Sequence, residues 1–412
     1  MRPTVLIAAT CRWVSTARLT MAMANAGCTV HAVCPPRHPL SKTSAVRQTH
    51  PYRSLTPLTS FADAIAAAKP DFIVPCDDVA AFLLHRLYER EQHRGKAGQP
   101  ICTLIERSLG SPESFPVVRA RTAFMELAQK EGICAPETRV MRNTGDLREW
   151  IAQVGLPTVL KVDGTSGGEG VRVVRTIEEA ERSFRALQAP SLVTLARQAK
   201  RALVEQDKTF VWSSLLRRRT VVNAQRFVAG REATSAVACW NGNVLAALHF
   251  EVLGKQYSAG PSSVVRLIEN AEISFAAEKI VRRLNLSGLH GLDFMLEART
   301  GSAYLIEINP RATQVGHLTL GAGRDLPAAL CAAVSGKPVK PGSKVTEKDT
   351  IALFPQEWIR NRASAFLDSG YHDVPWGETE LVRACVVSCP KQVVQPSQHE
   401  EWIRHFSEVR VP

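Results

Sequence analysis

Hydrophobic and polar positions at the start of the chain follow the order typical of a parallel α/β unit. A strand-like apolar run, TVLIAAT, precedes a segment of helical period over residues 15–26, which Gly27 ends. A second strand-like run, TVHAVC, follows it. Helical patterns over residues 60–69 and 79–88 flank a third, DFIVPC. We therefore predict a Rossmann-like α/β domain over residues 1–112.

Two features of this unit concern ligands. Its first turn, Cys11-Arg12-Trp13, lacks the Gly-x-Gly-x-x-Gly pattern that brings backbone close to a pyrophosphate, which argues against dinucleotide binding. Asp77 and Asp78 follow DFIVPC directly, where open α/β sheets present ligand-contacting loops. They are also well placed to N-cap the next helix, and both roles stay open.

A new domain is predicted after the breaker-rich segment SLGSPESFP. Helical patterns cover residues 118–131 and 144–154, and the strand TVLKVD follows them. The glycine-rich stretch GTSGGEG then separates TVLKVD from a second strand, VRVVRT. Because the hydrophobic period is 2 on both sides of this stretch, the glycine loop should join two strands of one domain, residues 113–200.

The rest of the chain is predicted as an α+β domain over residues 201–337 and a C-terminal extension over residues 338–412, to which we assign no chemistry. Turn signals interrupt a β pattern at residues 229–231 and at Asn241-Gly242, the latter typical of a hairpin. A helix is predicted over residues 271–284. The strands HGLDFMLEA and AYLIEIN and a helical stretch over residues 326–334 complete the domain.

Composition narrows the classes of function. The formal net charge is +12, but basic residues interleave with acidic ones and no nucleic-acid-binding motif is present, so we predict an anionic small-molecule ligand and no nucleic acid. No apolar run reaches about 18 residues, which predicts a cytoplasmic protein without membrane segments. The ten cysteines show no Cys-x-x-Cys spacing, so neither zinc nor a disulfide framework is expected.

The glycine loop is the first candidate binding site. Its glycines supply backbone N–H groups that can wrap an anion, although an ordinary flexible hairpin would look similar. Lys161 lies three residues before Gly164 in an otherwise apolar strand, where an ammonium is costly unless a negative group meets it. The alternative places Lys161 on the solvent face of the strand.

The second candidate site comprises Asp293, Glu307, Asn309 and Arg311. Glu307 and Asn309 are two residues apart in an extended segment and should share a face, and a hairpin would bring Asp293 opposite them. Such oxygen ligands suit magnesium, which is normally held by one or two carboxylates plus phosphate oxygens. Arg311 continues the face and could hold a phosphoryl group. The alternative is an exposed polar face of the sheet.

Together the two sites resemble the ATP-grasp superfamily over roughly residues 115–335. The resemblance rests on PTVLKVDGTSGGEGV and LDFMLEARTGSAYLIEINPRAT, and the second stretch is similar to segments of carbamoyl-phosphate synthase and biotin carboxylase. It implies an α/β fold of the α+β ATP-grasp type. A pre-ATP-grasp domain would precede two α+β subdomains that grip ATP.

The resemblance also implies roles for individual residues. ATP phosphates would contact Arg121, Lys161, Ser166, Gly167 and Gly168. The adenine and ribose would contact Gln225, Phe227 and Glu232, with Glu205 as a rival to Gln225. Magnesium, or manganese in its place, would be held by Asp293, Glu307 and Asn309, with Arg311 and Lys161 as catalytic residues.

The activity implied is that of a ligase. The γ-phosphoryl group of ATP would pass to a small-molecule carboxylate, and an amine would attack the resulting acylphosphate. The loop over residues 255–263 offers Lys255, Tyr257 and Ser262 as candidates for acceptor contacts, although an ordinary surface turn would look the same. Arg266 is a candidate for a substrate carboxylate. A kinase acting on a hydroxyl and a non-catalytic ATP-binding module remain alternatives, and a homodimer is left open.

Overall fold

The computed structural model describes residues 2–164, 170–188, 221–258 and 260–387. These residues form three β-sheets with helices packed against them. No helix among these residues is long and apolar enough to cross a membrane.

The N-terminal sheet has four parallel strands in the order β3-β2-β1-β4, as the alternating strand and helix patterns predict. The central strand β1 is buried on both faces, because Val5 and Ile7 enter one core while Leu6 and Ala8 enter another. The strands are β1 Thr4–Ala8, β2 Thr29–Cys34, β3 Gln48–Pro51 and β4 Phe72–Pro75. The helices are α1 Val14–Asn25, α2 Pro57–Ala68, α3 Asp78–Gln92 and α4 Gln99–Leu109.

The single helix predicted over residues 118–131 is wrong, because two helices occupy this region. They are α5 Ser114–Arg119 and α6 Arg121–Lys130. Ala120 between them has extended backbone, with φ −106° and ψ 107°. Val118, Phe124 and Met125 still pack in one core, so the apolar period continues across the break and conceals it.

A small antiparallel sheet follows, in the order β5-β8-β6-β7. One face packs against two helices, with Leu160 and Val162 of the sheet meeting Trp150 and Phe184. The strands are β5 Thr138–Met141, β6 Thr158–Val162, β7 Val171–Val174 and β8 Val222–Arg226. The helices are α7 Thr144–Val154 and α8 Ile177–Gln188. Strands β6 and β7 pair on either side of the glycine loop, as predicted.

The large sheet has seven strands in the order β13-β12-β9-β10-β11-β14-β15. Its neighbouring strands are antiparallel except for the parallel pair β14-β15. Asn241 and Gly242 join β9 to β10 in the predicted hairpin, with φ values of 48° and 74°. The strands are β9 Gly230–Trp240, β10 Asn243–Lys255, β11 Ser262–Leu267, β12 Gly288–Glu297, β13 Ala303–Asn309, β14 Thr350–Leu353 and β15 Tyr371–Asp373.

The two faces of the large sheet belong to different cores. Val237 and Cys239 pack with helix α9, Ala271–Arg283, whereas Ala236 and Ala238 pack with the N-terminal domain and helix α10, Leu326–Ser335. The alternation along β9 thus attaches the N-terminal domain to one face of the sheet.

Segments on both sides of the predicted domain boundaries share sheets. Strand β8 lies beyond residue 200 but belongs to the small sheet, and β14 and β15 lie beyond residue 338 but extend the large one. The extension also contributes helices α11 Gln356–Arg360, α12 Phe366–Ser369 and α13 Thr379–Val387. The division at residues 112, 200 and 337 therefore stays a prediction.

Candidate functional site

Lys161 lies on the face of β6 that is turned away from the small-sheet core. It stands opposite Asn223, whereas Leu160 and Val162 enter the core on the other face. The residue is only 5% exposed, so the solvent-face alternative does not hold. Lys161 Nζ lies 3.4 Å from the carbonyl oxygen of Ile306 in the large sheet. The lysine therefore spans the gap between the two sheets.

The charge of Lys161 is poorly solvated in this position. Burial lowers the pKa of Lys161 to about 8, and the carboxylate of Glu307 opposes that shift. Arg121 lowers the same pKa further, because it is a second positive charge nearby. A triphosphate between the sheets would supply the negative charge that this ammonium lacks.

The carboxylates of β12 and β13 share one face, as their spacing predicts. Asp293 stands opposite Glu307, and Asn309 Nδ2 donates to Asp293 Oδ2 at 2.9 Å. Thr234 on β9 donates to Asp293 Oδ1 at 2.8 Å, a contact that sequence analysis missed. The ladder pairs Leu305 and Glu307 with consecutive residues of β12, so Ile306 is an extra residue in β13. Such a bulge can redirect backbone groups, and here the Ile306 carbonyl meets Lys161.

Arg121, the first residue of α6, connects the small sheet to these carboxylates. Its Nη2 lies 2.8 Å from Glu307 Oε1, and its Nε lies 3.8 Å from Asp163 Oδ1. Burial would raise the pKa of Glu307, but the Arg121 charge and hydrogen bond outweigh it and hold the pKa below its usual range. Asn223 Nδ2 donates to Asp163 Oδ1 at 2.8 Å. Sequence analysis missed Asp163, whose position two residues after Lys161 was the only available signal.

Arg311 contacts both the N-terminal domain and its own strand segment. Its Nε donates to Asp78 Oδ2 at 2.9 Å, and its Nη2 donates to Asn309 Oδ1 at 3.1 Å. Its guanidinium carbon lies 5.1 Å from the centre of the Trp13 ring. The sequence left two roles open for Asp77 and Asp78, a helix N-cap and a ligand-contacting position. Asp77 N-caps α3, and Asp78 contacts Arg311. The sequence left a ligand-contacting role open for Asp78, whereas Trp13 was not identified as a site residue.

The residues predicted around adenine and ribose lie where the chain crosses from the small sheet to the large one. Gln225 in β8 is 2% exposed, and its Nε2 donates to Thr138 Oγ1 at 3.0 Å. Phe227 is half-buried in the connection to β9. Glu232 in β9 accepts a hydrogen bond of 2.7 Å from Lys255. Their nucleotide contacts stay predictions.

Five predicted residues are not found among the described residues on the face of the large sheet that bears Asp293. Ser166, Gly167, Gly168 and Glu205 lie outside the described residues. Arg266 pairs with Glu251, which stands opposite Ala233 on the α9 side of the large sheet. Arg266 therefore lies on the face opposite Asp293, because neighbouring positions of a strand alternate between faces.

The oxygen atoms of this site fit magnesium better than a softer metal. Asp293, Glu307 and Asn309 offer two carboxylates and an amide oxygen. Within the part of the chain that the structure describes, no group of three or more His, Cys, Asp or Glu side chains could hold a metal by itself. Magnesium commonly takes its remaining ligands from water and substrate phosphates, so this small set suits an ATP-bound ion.

Comparisons with known proteins identify the same region. The family model described as "Carbamoyl-phosphate synthase L chain, ATP binding domain" matches residues 120–323. The carbamoyl phosphate synthase large chain of Methanosphaerula palustris is 26% identical over 210 residues, which is 50% of this chain and 18% of that protein. The formate-dependent phosphoribosylglycinamide formyltransferase of Flavobacterium psychrophilum is 24% identical over 262 residues, 62% of this chain and 58% of that one. The chain thus spans less than a fifth of the length of the synthase.

Solved structures share the fold over most of the chain. N5-carboxyaminoimidazole synthase from Aspergillus clavatus, in complex with ADP and 5-aminoimidazole ribonucleotide, has a TM-score of 0.60 at 15% identity and covers 84% of this chain and 80% of its own. The biotin carboxylase domain dimer of Hydrogenobacter thermophilus 2-oxoglutarate carboxylase has a TM-score of 0.58 at 14% identity, with coverages of 84% and 72%. The predicted α/β fold of the α+β ATP-grasp type is confirmed. Residues 120–323, which the family model matches, include both Lys161 on β6 and the hairpin of β12 and β13, and this part of the chain belongs to the ATP-grasp superfamily.

Proposed function

We propose that this protein is an ATP- and magnesium-dependent ligase that activates a carboxylate as an acylphosphate for attack by an amine. One observation carries the proposal. Lys161 on the small sheet and Arg121 on α6 directly approach the β13 segment that bears Glu307 and Asn309, at 3.4 and 2.8 Å. Cationic phosphate-binding groups and metal-binding oxygens thus converge on one place, as phosphoryl transfer requires.

The arrangement answers an electrostatic problem. A carboxylate and a triphosphate repel each other, so they approach only where positive charge is fixed in advance. Lys161, Arg121 and Arg311 supply that charge from three segments of the chain. Asp293, Glu307 and Asn309 would hold magnesium, which neutralises phosphate oxygens when it is bound.

The chemistry needs no nucleophile from the protein. A carboxylate oxygen attacks the γ-phosphorus, the bond to the β,γ-bridging oxygen breaks, and ADP leaves with the electron pair. The amine nitrogen then attacks the acyl carbon, phosphate departs with the electron pair of the broken C–O bond, and the nitrogen loses a proton. The protein contributes alignment and exclusion of water, since a free acylphosphate would hydrolyse.

The similar proteins suggest the first substrates to test. The Hydrogenobacter thermophilus domain binds MgADP and bicarbonate, and the Aspergillus clavatus enzyme binds ADP and 5-aminoimidazole ribonucleotide. We propose bicarbonate as the first carboxylate and ammonia or an aminoimidazole ribonucleotide as the first amines. We also propose that manganese can replace magnesium. The Hydrogenobacter thermophilus domain is a dimer, so we propose a homodimer for this protein as well, and its molecular mass in solution tests this.

The experiment is an ADP-release screen with magnesium, in which carboxylates and amines are tested alone and in pairs. With an ¹⁸O-labelled carboxylate, the proposal predicts one ¹⁸O atom in each phosphate released, because that oxygen bridges carbon and phosphorus in the acylphosphate. ADP release with an alcohol alone, without label transfer, would indicate a kinase. ATP binding without turnover under any combination would indicate a binding module.

A variant tests the metal assignment. Glu307→Gln removes one carboxylate charge at nearly constant shape and should abolish magnesium-dependent turnover without changing the circular dichroism spectrum. Glu278→Gln is the matched control, since Glu278 is exposed on α9. Normal turnover in Glu307→Gln would remove Glu307 from the metal site.

A further inference from the structure

The loop after β1 and the start of α3, both in the N-terminal domain, contact Arg311. Asp78 follows β4, and its Oδ2 accepts from Arg311 Nε at 2.9 Å. Trp13 follows β1, and its ring centre lies 5.1 Å from the guanidinium carbon. The Arg311 side chain is 11% exposed, so solvent screens these contacts only weakly.

Asp77, which is 1% exposed, connects these two segments. Its carboxylate accepts four hydrogen bonds, from Thr10 N at 2.6 Å, Thr10 Oγ1 at 2.7 Å, Cys11 N at 3.1 Å and Ala80 N at 2.8 Å. The β1 loop and the start of α3 are therefore joined through one side chain. These hydrogen bonds hold the segments that bear Trp13 and Asp78 together at the edge of the N-terminal sheet next to Arg311.

These contacts fix the plane of the guanidinium group. A guanidinium has five N–H bonds, and Arg311 donates three of them to Asp78 Oδ2, Asn309 Oδ1 and the Ala312 carbonyl, the last at 3.3 Å. The Trp13 ring limits movement of the guanidinium on its own side. The remaining N–H bonds of Arg311 can donate to phosphoryl oxygens while its side chain keeps the same conformation. Such preorganisation lowers the free energy of activation for phosphoryl transfer.

We propose that Asp78 and Trp13 are positioning residues that hold Arg311 in the orientation needed for phosphoryl transfer. The N-terminal domain thereby completes the active site, although neither residue has to touch ATP. This inference rests on the proposed function, because it assigns to Arg311 a role in the transfer step.

The first test compares Asp78→Asn with a matched control, Asp63→Asn, in the ADP-release assay. Asp63 lies in the same domain, and its side chain is 64% exposed. Asp78→Asn should lower kcat ten- to a hundredfold and leave KM for ATP within about threefold, while the protein still unfolds in one cooperative transition above the assay temperature. Asp78→Glu restores the charge and should recover part of kcat, and Trp13→Phe, which keeps a ring, should be faster than Trp13→Ala.

A double-mutant cycle separates positioning from a general structural effect. If Asp78 acts through Arg311, Asp78→Asn combined with Arg311→Lys should have a kcat within about threefold of Arg311→Lys alone. Multiplied losses, or a wild-type kcat in Asp78→Asn, would overturn the inference while leaving the ligase proposal intact. A wild-type protein without any magnesium- and ATP-dependent turnover would refute the ligase proposal, and the positioning role with it.

Discussion

Raising the pH should weaken ATP binding because it removes the charge of Lys161. Burial lowers the pKa of this lysine to about 8, well below the ordinary lysine value. Its charge is therefore lost within a pH range in which ordinary lysines remain protonated. A neutral amine cannot form the charge-assisted contact with a phosphate that an ammonium forms.

The size of the effect follows from the protonated fraction. With a pKa near 8, that fraction falls from about 0.9 at pH 7 to about 0.1 at pH 9, so the apparent Kd for ATP should rise about tenfold if only the protonated form binds. Binding should also take up roughly half a proton per ATP at pH 8, because the bound phosphates raise the pKa of Lys161 again.

Isothermal titration calorimetry measures both quantities, the Kd from the binding curve and the proton uptake from titrations in buffers of different ionisation enthalpy. Lys161→Arg is the control, since a guanidinium stays charged throughout this range. The variant should show a nearly constant Kd from pH 7 to 9. A constant Kd in the wild-type protein, or the same slope in Lys161→Arg, would show that Lys161 does not provide the phosphate-binding charge.

Two further substitutions test packing, one where β15 meets the N-terminal domain and one beside the β12-β13 hairpin. Asp373→Asn should lower the free energy of unfolding by about 3–5 kcal/mol, measured by urea denaturation, because Asp373 is 2% exposed and pairs with Arg18 and His317, so its loss leaves buried positive charge unpaired. An unchanged denaturation curve would contradict this account. Gly291→Ala should lower turnover, because a Cβ there would lie 2.3 Å from Thr313 Cγ2 and 3.4 Å from Asn309 Cβ, so Thr313 or the end of β13 must move. Gly377→Ala is the control, because a Cβ at that position meets nothing within 4 Å. Equal turnover in the two variants would contradict the prediction.

Much of the site could be predicted because side chains alternate between the two faces of a strand, so residues two positions apart share a face. Glu307 and Asn309 are two residues apart, and one hairpin suffices to bring Asp293 opposite Glu307. Lys161 stood out in the same way, as a charge within an apolar strand. These inferences needed only local geometry and one turn.

The contacts that were missed join segments far apart in the chain. Asp78 and Arg311 are separated by more than 200 positions, and only the packing of the N-terminal domain on the large sheet brings them together. Asn223 reaches Asp163 because β8 pairs with β6, which no local pattern indicated. The break at Ala120 was missed because the apolar period runs through it.

A crystal structure with magnesium and a non-hydrolysable ATP analogue would show whether one triphosphate lies between the two sheets. We expect its phosphate oxygens to contact Lys161 and Arg121, and we expect its magnesium to be bound by Asp293 or Glu307 together with Asn309. A nucleotide bound elsewhere, or phosphates that contact the lysine while the metal lies away from the β12-β13 hairpin, would contradict the proposal.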